Sequence, residues 1–222
     1  MNQNDGCQKI IIADDHPLYR AGLKQALIQM MPDVEFIEAD TLRAVREAVK
    51  QHSDVDLVLL DLHMPGANGF SGLAWLRCQN PGMPVVVVSG SEEPSVMSRS
   101  IIYGASGFIP KSSCLNRITE GIKAVLEGEV WLPEEAAEEE VDENEANFAA
   151  NLKRLTNKQF EILMYLNEGL LNKQIAYDLS IKETTVKTHV SAILRKLEVY
   201  SRTQVVIEIR RLHLAETPVI WD

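Results

Sequence analysis

The stretch Asp56-Leu57-Val58-Leu59-Leu60-Asp61-Leu62-His63-Met64-Pro65-Gly66 carries an apolar run of strand length that delivers a carboxylate to its end and then breaks. A run of about four to eight apolar residues bounded by turn signals suits a strand buried on both faces. Periodicity alone also allows a buried helix, but the length of the run and the following Pro65-Gly66 favour the strand. If the sheet is parallel, a side chain at the C-terminal end of such a strand points into the crevice where open α/β sheets place their ligands. Asp61 occupies that position.

Other segments repeat the pattern. Lys9-Ile10-Ile11-Ile12-Ala13 is a β-branched run ending in Asp14-Asp15, and Pro17 then suits the first turn of a helix carrying Leu18, Leu23, Ala26, Leu27 and Met30. Val34–Ala39 alternates, and Thr41 caps a segment with Leu42, Val45, Ala48 and Val49 on one face. Val85-Val86-Val87-Val88-Ser89 is a fourth strand, and Gly107-Phe108-Ile109-Pro110-Lys111 a fifth, whose proline points to an edge position. Leu115, Ile118, Ile122, Val125 and Leu126 form the last helix of this half. Strands alternating with helices predict a doubly wound, five-stranded parallel sheet.

Four strand ends would then converge on one crevice, bringing together Asp14, Asp15, Asp61, Ser89 and Lys111. Crowded carboxylates repel and hold protons unless a cation joins them, so the group calls for a hard divalent ion, best Mg²⁺. The lysine and hydroxyl opposite are suited to phosphoryl oxygens. Taken singly, each residue has a plainer reading: a helix-start acid pair, a strand-end serine, a solvated lysine. The combination at matching strand ends outweighs those readings.

These residues resemble the receiver domain of bacterial two-component response regulators, over about residues 8–130. The resemblance implies a flavodoxin-like strand order 2-1-3-4-5 and makes Asp61 the acceptor of a phosphoryl group from a histidine kinase or small phosphodonor. It implies that Asp14, Asp15, Asp61 and the backbone carbonyl of His63 hold Mg²⁺ and that Lys111 pairs with the phosphate. Ser89 and Phe108 would form a coupled switch, in which Phe108 lacks the hydroxyl of a tyrosine. His63 and Ser91 fall where members of that family tune the lifetime of the phosphoryl group.

The net charge of −10 argues at first against nucleic acid, but its distribution argues otherwise. Residues 134–152 hold eight acids and no base, whereas residues 153–222 hold 11 bases against eight acids, leaving that part mildly basic. The acidic stretch predicts a linker, extended or only partly helical, that could compete with DNA phosphates for the basic part. No apolar run approaches the ~20 residues needed to span a bilayer, and Met1–Asp5 lacks a signal pattern, so a soluble, cytoplasmic protein is expected. Cys7, Cys78 and Cys114 show no ligand spacing and read as ordinary thiols.

Beyond the acidic stretch, Thr156 with Gln159 forms a capping box, Phe160, Leu163 and Leu166 a buried stripe, and Gly169 a C-terminal cap. Asn172 is expected to cap a short helix burying Ile175, Ala176 and Leu179. After a tight turn at Ser180-Ile181, Val186, Val190, Ile193, Leu194 and Leu197 define an amphipathic helix whose polar face presents Thr184, Lys187, Thr188, Ser191 and Arg195. A second capping box, Ser201 with Gln204, starts a helix with Val205, Ile209 and Leu212 on its face. Two helices and a turn describe a helix-turn-helix. Leu155-Thr156, Asn172-Lys173-Gln174-Ile175-Ala176, Thr185-Val186-Lys187-Thr188-His189-Val190 and Ser201-Arg202-Thr203 together resemble the LuxR-type helix-turn-helix, over about residues 152–214.

With the receiver, this resemblance places the chain among NarL/FixJ-type response regulators, with a receiver at 1–132, a linker at 133–151 and a four-helix DNA-binding domain at 152–222. It implies that Lys187, Thr188 and Ser191 face base edges, with Thr184 and Arg195 on the same face, and that Asn172, Lys173, Thr185 and Arg202 meet backbone phosphates. It also implies a homodimer on phosphorylation or on DNA, through the last helix. Many relatives carry glycine in the turn and serine at the recognition-helix cap, where this chain has Ser180 and Lys182. The expected protein is therefore a phosphorylation-controlled transcription regulator and not a conventional enzyme. A Mg²⁺-dependent phosphohydrolase is the enzymatic rival, but such enzymes place an acid two residues after the aspartyl nucleophile, where this chain has His63. A scaffold with a silent receiver is the other rival, and the intact acid, hydroxyl and lysine set argues against it.

Overall fold

The computed structural model of the protein describes residues 8–67, 69–136 and 142–213. Five parallel strands, β1 (Gln8–Ala13), β2 (Val34–Ala39), β3 (Leu57–Leu60), β4 (Val85–Ser89) and β5 (Gly107–Pro110), lie in the order β2-β1-β3-β4-β5. Between and after them run α1 (Pro17–Met30), α2 (Leu42–Gln51), α3 (Ser71–Gln79), α4 (Pro94–Ile102) and α5 (Leu115–Leu126). This is the doubly wound topology expected from the alternation of the two periodicities.

The strands read as continuous apolar runs because both faces are covered. Ile10, Ile12, Leu57, Leu59, Val86, Val88 and Ile109 pack with Leu23 and Leu27 of α1 and Ile118, Ile122 and Val125 of α5. Ile11, Val58, Leu60, Val85, Val87 and Phe108 turn to the opposite face and meet α2, α3 and α4. Each fully buried Leu, Ile or Val stabilises the sheet by roughly 1.5–3 kcal/mol, so a shift of register by one residue would be strongly disfavoured. Pro17 opens α1 and Thr41 Oγ1 accepts from the Ala44 N–H at 3.2 Å, as the sequence predicts. Pro110 lies on edge strand β5, whose outer side is partly covered where the Phe108 N–H reaches the Trp131 carbonyl at 2.8 Å.

The acidic stretch is more ordered than its composition suggests. After a short 3-10 turn at Glu134–Ala136, and beyond residues 137–141, which lie outside the described residues, the chain forms helix α6 (Glu143–Leu152). Asp142 caps it by accepting from the Asn144 N–H at 2.9 Å, and Phe148, Ala149 and Leu152 are buried. That apolar stripe repeats at helical spacing and offsets the ordering entropy that the flanking glutamates could not.

Helices α7 (Asn157–Asn167), α8 (Asn172–Asp178), α9 (Glu183–Lys196) and α10 (Arg202–Ile209) complete the C-terminal part, followed by a 3-10 turn at Arg210–Leu212. The Thr156–Gln159 box is formed in both directions, at 3.3 and 3.1 Å. At α10 the Ser201 hydroxyl accepts from the Gln204 N–H at 3.2 Å, while the Gln204 side chain reaches the Tyr200 N–H and not that of Ser201. Gly169 terminates α7 with φ +83°, a conformation glycine adopts without strain. One expectation is corrected: Asn172 is the first residue of α8 and not its cap, and its Oδ1 is buried without a hydrogen-bond partner. The Gln174 side chain takes over by accepting from the Leu171 N–H at 2.7 Å.

Candidate functional site

At the C-terminal edge of the sheet, β1 and β3 end side by side and the Asp61 N–H donates to the Ala13 carbonyl at 2.9 Å. This register sets Asp14 and Asp61 next to one another, each only 2 % exposed. Gly66, with φ +82°, lets the chain turn back after Pro65 and frees the end of β3. From the end of β5, Lys111 reaches across, its Nζ 2.6 Å from Asp14 Oδ2 and 2.9 Å from Asp61 Oδ2. The Lys111 N–H is tied to the Ser89 carbonyl at 2.8 Å, so β4 and β5 deliver serine and lysine to the same crevice.

Ligand atoms of Asp14, Asp15, His16 and Asp61 all lie within 4.8 Å of one another. The His16 N–H donates to Asp14 Oδ1 at 2.8 Å, and its ring Nδ1 lies 2.8 Å from Asp15 Oδ1. The His63 N–H donates to Asp61 Oδ1 at 3.3 Å, with the largely exposed ring 3.8 Å from the same oxygen. Three carboxylates against one ammonium leave an excess of negative charge in a half-closed crevice, and their hard oxygens are the donor set that Mg²⁺ prefers. The acidic pocket therefore fits a divalent metal ion.

Burial pulls the Lys111 pKa down, but hydrogen bonds and charge from Asp14 and Asp61 outweigh it and leave the group raised. Tyr19 closes the site from α1, its ring 5.0 Å from the Lys111 ammonium. Burial first, then the negative field of Asp14 and Asp61, pushes its hydroxyl up to about 12, and that buried oxygen has no hydrogen-bond partner. Ser89 and Phe108 are fully buried, with Ser89 Oγ accepting from the Ser91 N–H at 3.2 Å. His16 and Tyr19 join the site in addition to the residues expected from the sequence, where the position of His16 beside an acid pair is a usable signal.

The second set of predicted residues gathers on α9. Val186 and Ile193 are buried, while Thr184, Thr185, Lys187, Thr188, Ser191 and Arg195 are all exposed. Lys187 pairs with Glu183 at 2.9 Å and the Thr188 hydroxyl donates to the Thr184 carbonyl at 3.0 Å. Lys173 is exposed on α8, whereas Arg202 is half-buried and its guanidinium donates to the Leu170 carbonyl. Lys182 precedes α9 without a side-chain cap, and Ser180 sits in the left-handed region at φ 52°.

The two halves meet through α3 and α4 on one side and α6, α7 and the turn after α10 on the other. The Phe70 N–H donates to the Leu212 carbonyl at 2.7 Å. Arg99 pairs with Glu145 at 2.7 Å and also donates to the Arg211 carbonyl, and the buried Tyr103 hydroxyl donates to Glu145 at 2.9 Å. The Phe70 and Tyr103 rings stack 5.0 Å apart. None of these contacts covers the exposed face of α9 described above.

Comparison with known proteins matches two family models: response regulator receiver domain over residues 10–123, and bacterial regulatory proteins, luxR family, over residues 153–209. The chain is 44% identical over 206 residues to the glycerol metabolism activator of Pseudomonas putida, covering 90% of this chain and 93% of that one. It is 32% identical over 201 residues to the nitrate/nitrite response regulator NarL of Escherichia coli, covering 89% and 93%. Among solved structures, RcsB of Salmonella enterica serovar Typhimurium bound to a promoter shares the fold, with a TM-score of 0.55, 21% identity, and coverage of 93% of this chain and 100% of that one. The chain belongs to the two-component response regulators of the NarL/LuxR type, in which a receiver domain precedes a LuxR-family DNA-binding domain.

Proposed function

We propose that Asp61 is the phosphoryl acceptor and that its modification governs dimerisation and promoter binding by the C-terminal domain. The single observation that carries this is the nearly buried Asp61 carboxylate, flanked by Asp14 and Asp15 and held by Lys111 at 2.9 Å. An Asp61 oxygen attacks phosphorus and a P–O bond forms. The P–N bond of a kinase phosphohistidine, or the P–O bond of a small acyl phosphate, breaks as the leaving group departs with the electron pair. An imidazole leaving group then takes a proton from solvent.

Asp14, Asp15, Asp61 and the His63 carbonyl would hold Mg²⁺, which offsets the charge brought together when phosphoryl oxygens enter. Lys111 is already aimed at Asp61 and pairs with the incoming phosphoryl group, giving up part of its contact with the carboxylates. Ser89 Oγ turns from the Ser91 N–H toward the phosphoryl oxygens, and Phe108 follows it inward. The α4 helix follows Ser89 and carries Arg99, with Tyr103 immediately after it, so the switch acts on the contacts to Glu145 and Arg211.

In the resting protein the receiver restrains the second domain by position and does not mask its recognition face, since that face is exposed. Lys187, Thr188 and Ser191, with Thr184 and Arg195 alongside, read base edges; Asn172, Lys173, Thr185 and Arg202 meet phosphates. The α10 helix, on which Ile207 is 56% exposed, supplies the dimer contact. We assign residues 1–132 to the receiver, 133–151 to the linker and 152–222 to the DNA-binding domain, in a cytoplasmic protein served by a histidine kinase.

DNA retention at fixed salt tests this reading. Wild-type protein given phosphodonor and Mg²⁺ should bind promoter DNA more tightly, whereas Asp61→Asn should not respond. A variant that still gains affinity with phosphodonor contradicts the scheme.

A further inference from the structure

Arg46 and Lys50 stand four residues apart on α2 and line a cleft of about 450 Å³ between the two domains. Trp75 of α3 contributes to the receiver wall, and Met164 and Tyr165 of α7 to the effector wall. No residue of the cleft belongs to the acidic cluster around Asp61.

Arg46 is half-buried, with its guanidinium 5.1 Å from the centre of the Trp75 ring and its Nε shielded from solvent without a hydrogen-bond partner. Burial lowers its pKa, with only partial compensation from Glu161 and Tyr165. Of the acids near it, Glu47 pairs with Arg43 at 3.9 Å, while on the facing wall Glu161 pairs with Lys158 at 2.9 Å and Glu168 also lines the cleft. Lys50 is exposed and forms no ion pair among the described residues. Neither Arg46 nor the cation one turn away is in an ion pair among the described residues, so a partly desolvated cation here is short of the direct counter-charge that buried cations ordinarily have.

We propose that this interdomain cleft binds a flat organic monoanion of the aromatic carboxylate type, its anionic group held between Arg46 and Lys50. A carboxylate matches the fork of guanidinium donors, and a ring would displace water from Met164 and Tyr165. On the facing wall Lys158 is paired with Glu161 and Glu168 stands beside them, so a second negative charge meets no free cation there and monoanions are favoured over dianions. Because each domain supplies one wall, occupancy favours the arrangement in which the walls face one another. Such a ligand would act on the equilibrium between domain arrangements without touching the phosphorylation site.

Isothermal titration of the full chain with 2-naphthoate, and with 2-naphthamide as its uncharged match, tests the proposal. Wild-type protein should saturate at one site, with binding weakened about tenfold or more by Arg46→Gln or by the amide, and severalfold by the exposed Lys50→Gln. Arg43→Gln, which removes a charge outside the cleft on the same helix, should bind as wild type does. Absence of saturation up to several millimolar would overturn the proposal, as would equal binding of the amide or equal weakening by Arg43→Gln.

Discussion

Lys111 places one positive charge between Asp14 and Asp61, two carboxylates that are each 2 % exposed. Lys111→Met should therefore destabilise the receiver by about 3 kcal/mol in metal-free buffer, because breaking a buried pair leaves uncompensated charge. Added Mg²⁺ should restore much of that loss, and urea unfolding with and without the metal measures both effects. Lys111 and Tyr19 also set the alkaline limit. The raised Lys111 pKa gives stability that is complete below its unfolded value and lost as pH climbs through the higher folded value. Tyr19, ordinarily near 10, is pushed up to about 12 in the fold by burial and the nearby carboxylates, so its contribution to stability also falls across that interval. Stability should decline above about pH 10, and Tyr19→Phe should flatten the decline between 10 and 12. The same variant should gain roughly 1 kcal/mol at neutral pH by removing a buried hydroxyl without a partner. Asp14, Asp15, Asp61, Ser89 and Lys111 were legible in the sequence because each ends or follows a readable strand. Tyr19 was not, because only the packing of α1 against β1 reveals which turn of that helix faces the crevice.

Among the elements, α9 begins at a disadvantage, since Lys182 offers no side-chain acceptor to its first turn. Lys182→Ser should stabilise the C-terminal domain by about 1 kcal/mol, read from denaturant unfolding; no gain would mean that the free N–H groups of α9 are already satisfied by water. Helix α6 shows the opposite case, in which composition understates order. Eight acids without a base suggested a solvated linker, yet Phe148, Ala149 and Leu152 pack against the neighbouring helices. Asp142 is engaged with Arg211 at 3.2 Å and Glu145 with Arg99 of the receiver at 2.7 Å, so at least two of those acids are already paired with bases of this chain. The helix was hard to read because its apolar stripe is short and acquires a partner only when α3 and α4 arrive. Tyr103→Phe should weaken this junction by about 1–2 kcal/mol, since Glu145 loses a buried donor. Faster hydrogen exchange across α6 is the expected result, and unchanged exchange would show that the junction does not depend on that hydroxyl.

For the whole molecule, the fold of each half follows from strand and helix periodicity, but their mutual placement does not. It depends on which surface residues meet: Phe70 with Leu212, and Arg99 and Tyr103 with Glu145 and Arg211. These contacts converge on the turn after α10, so strand-end events at β3 and β4 share one point of contact with the effector. The arrangement leaves the face of α9 proposed to meet DNA exposed, which supports the proposed regulation through the positioning of two copies over one that uncovers a helix. Phosphorylation of Asp61 is the proposed event that drives this change, and the intact mass of the protein after incubation with acetyl phosphate tests it most directly. With Mg²⁺ present, wild type should gain the mass of one phosphoryl group and Asp61→Asn should gain none. An unmodified wild-type mass, or an equal adduct on the asparagine variant, would contradict the account.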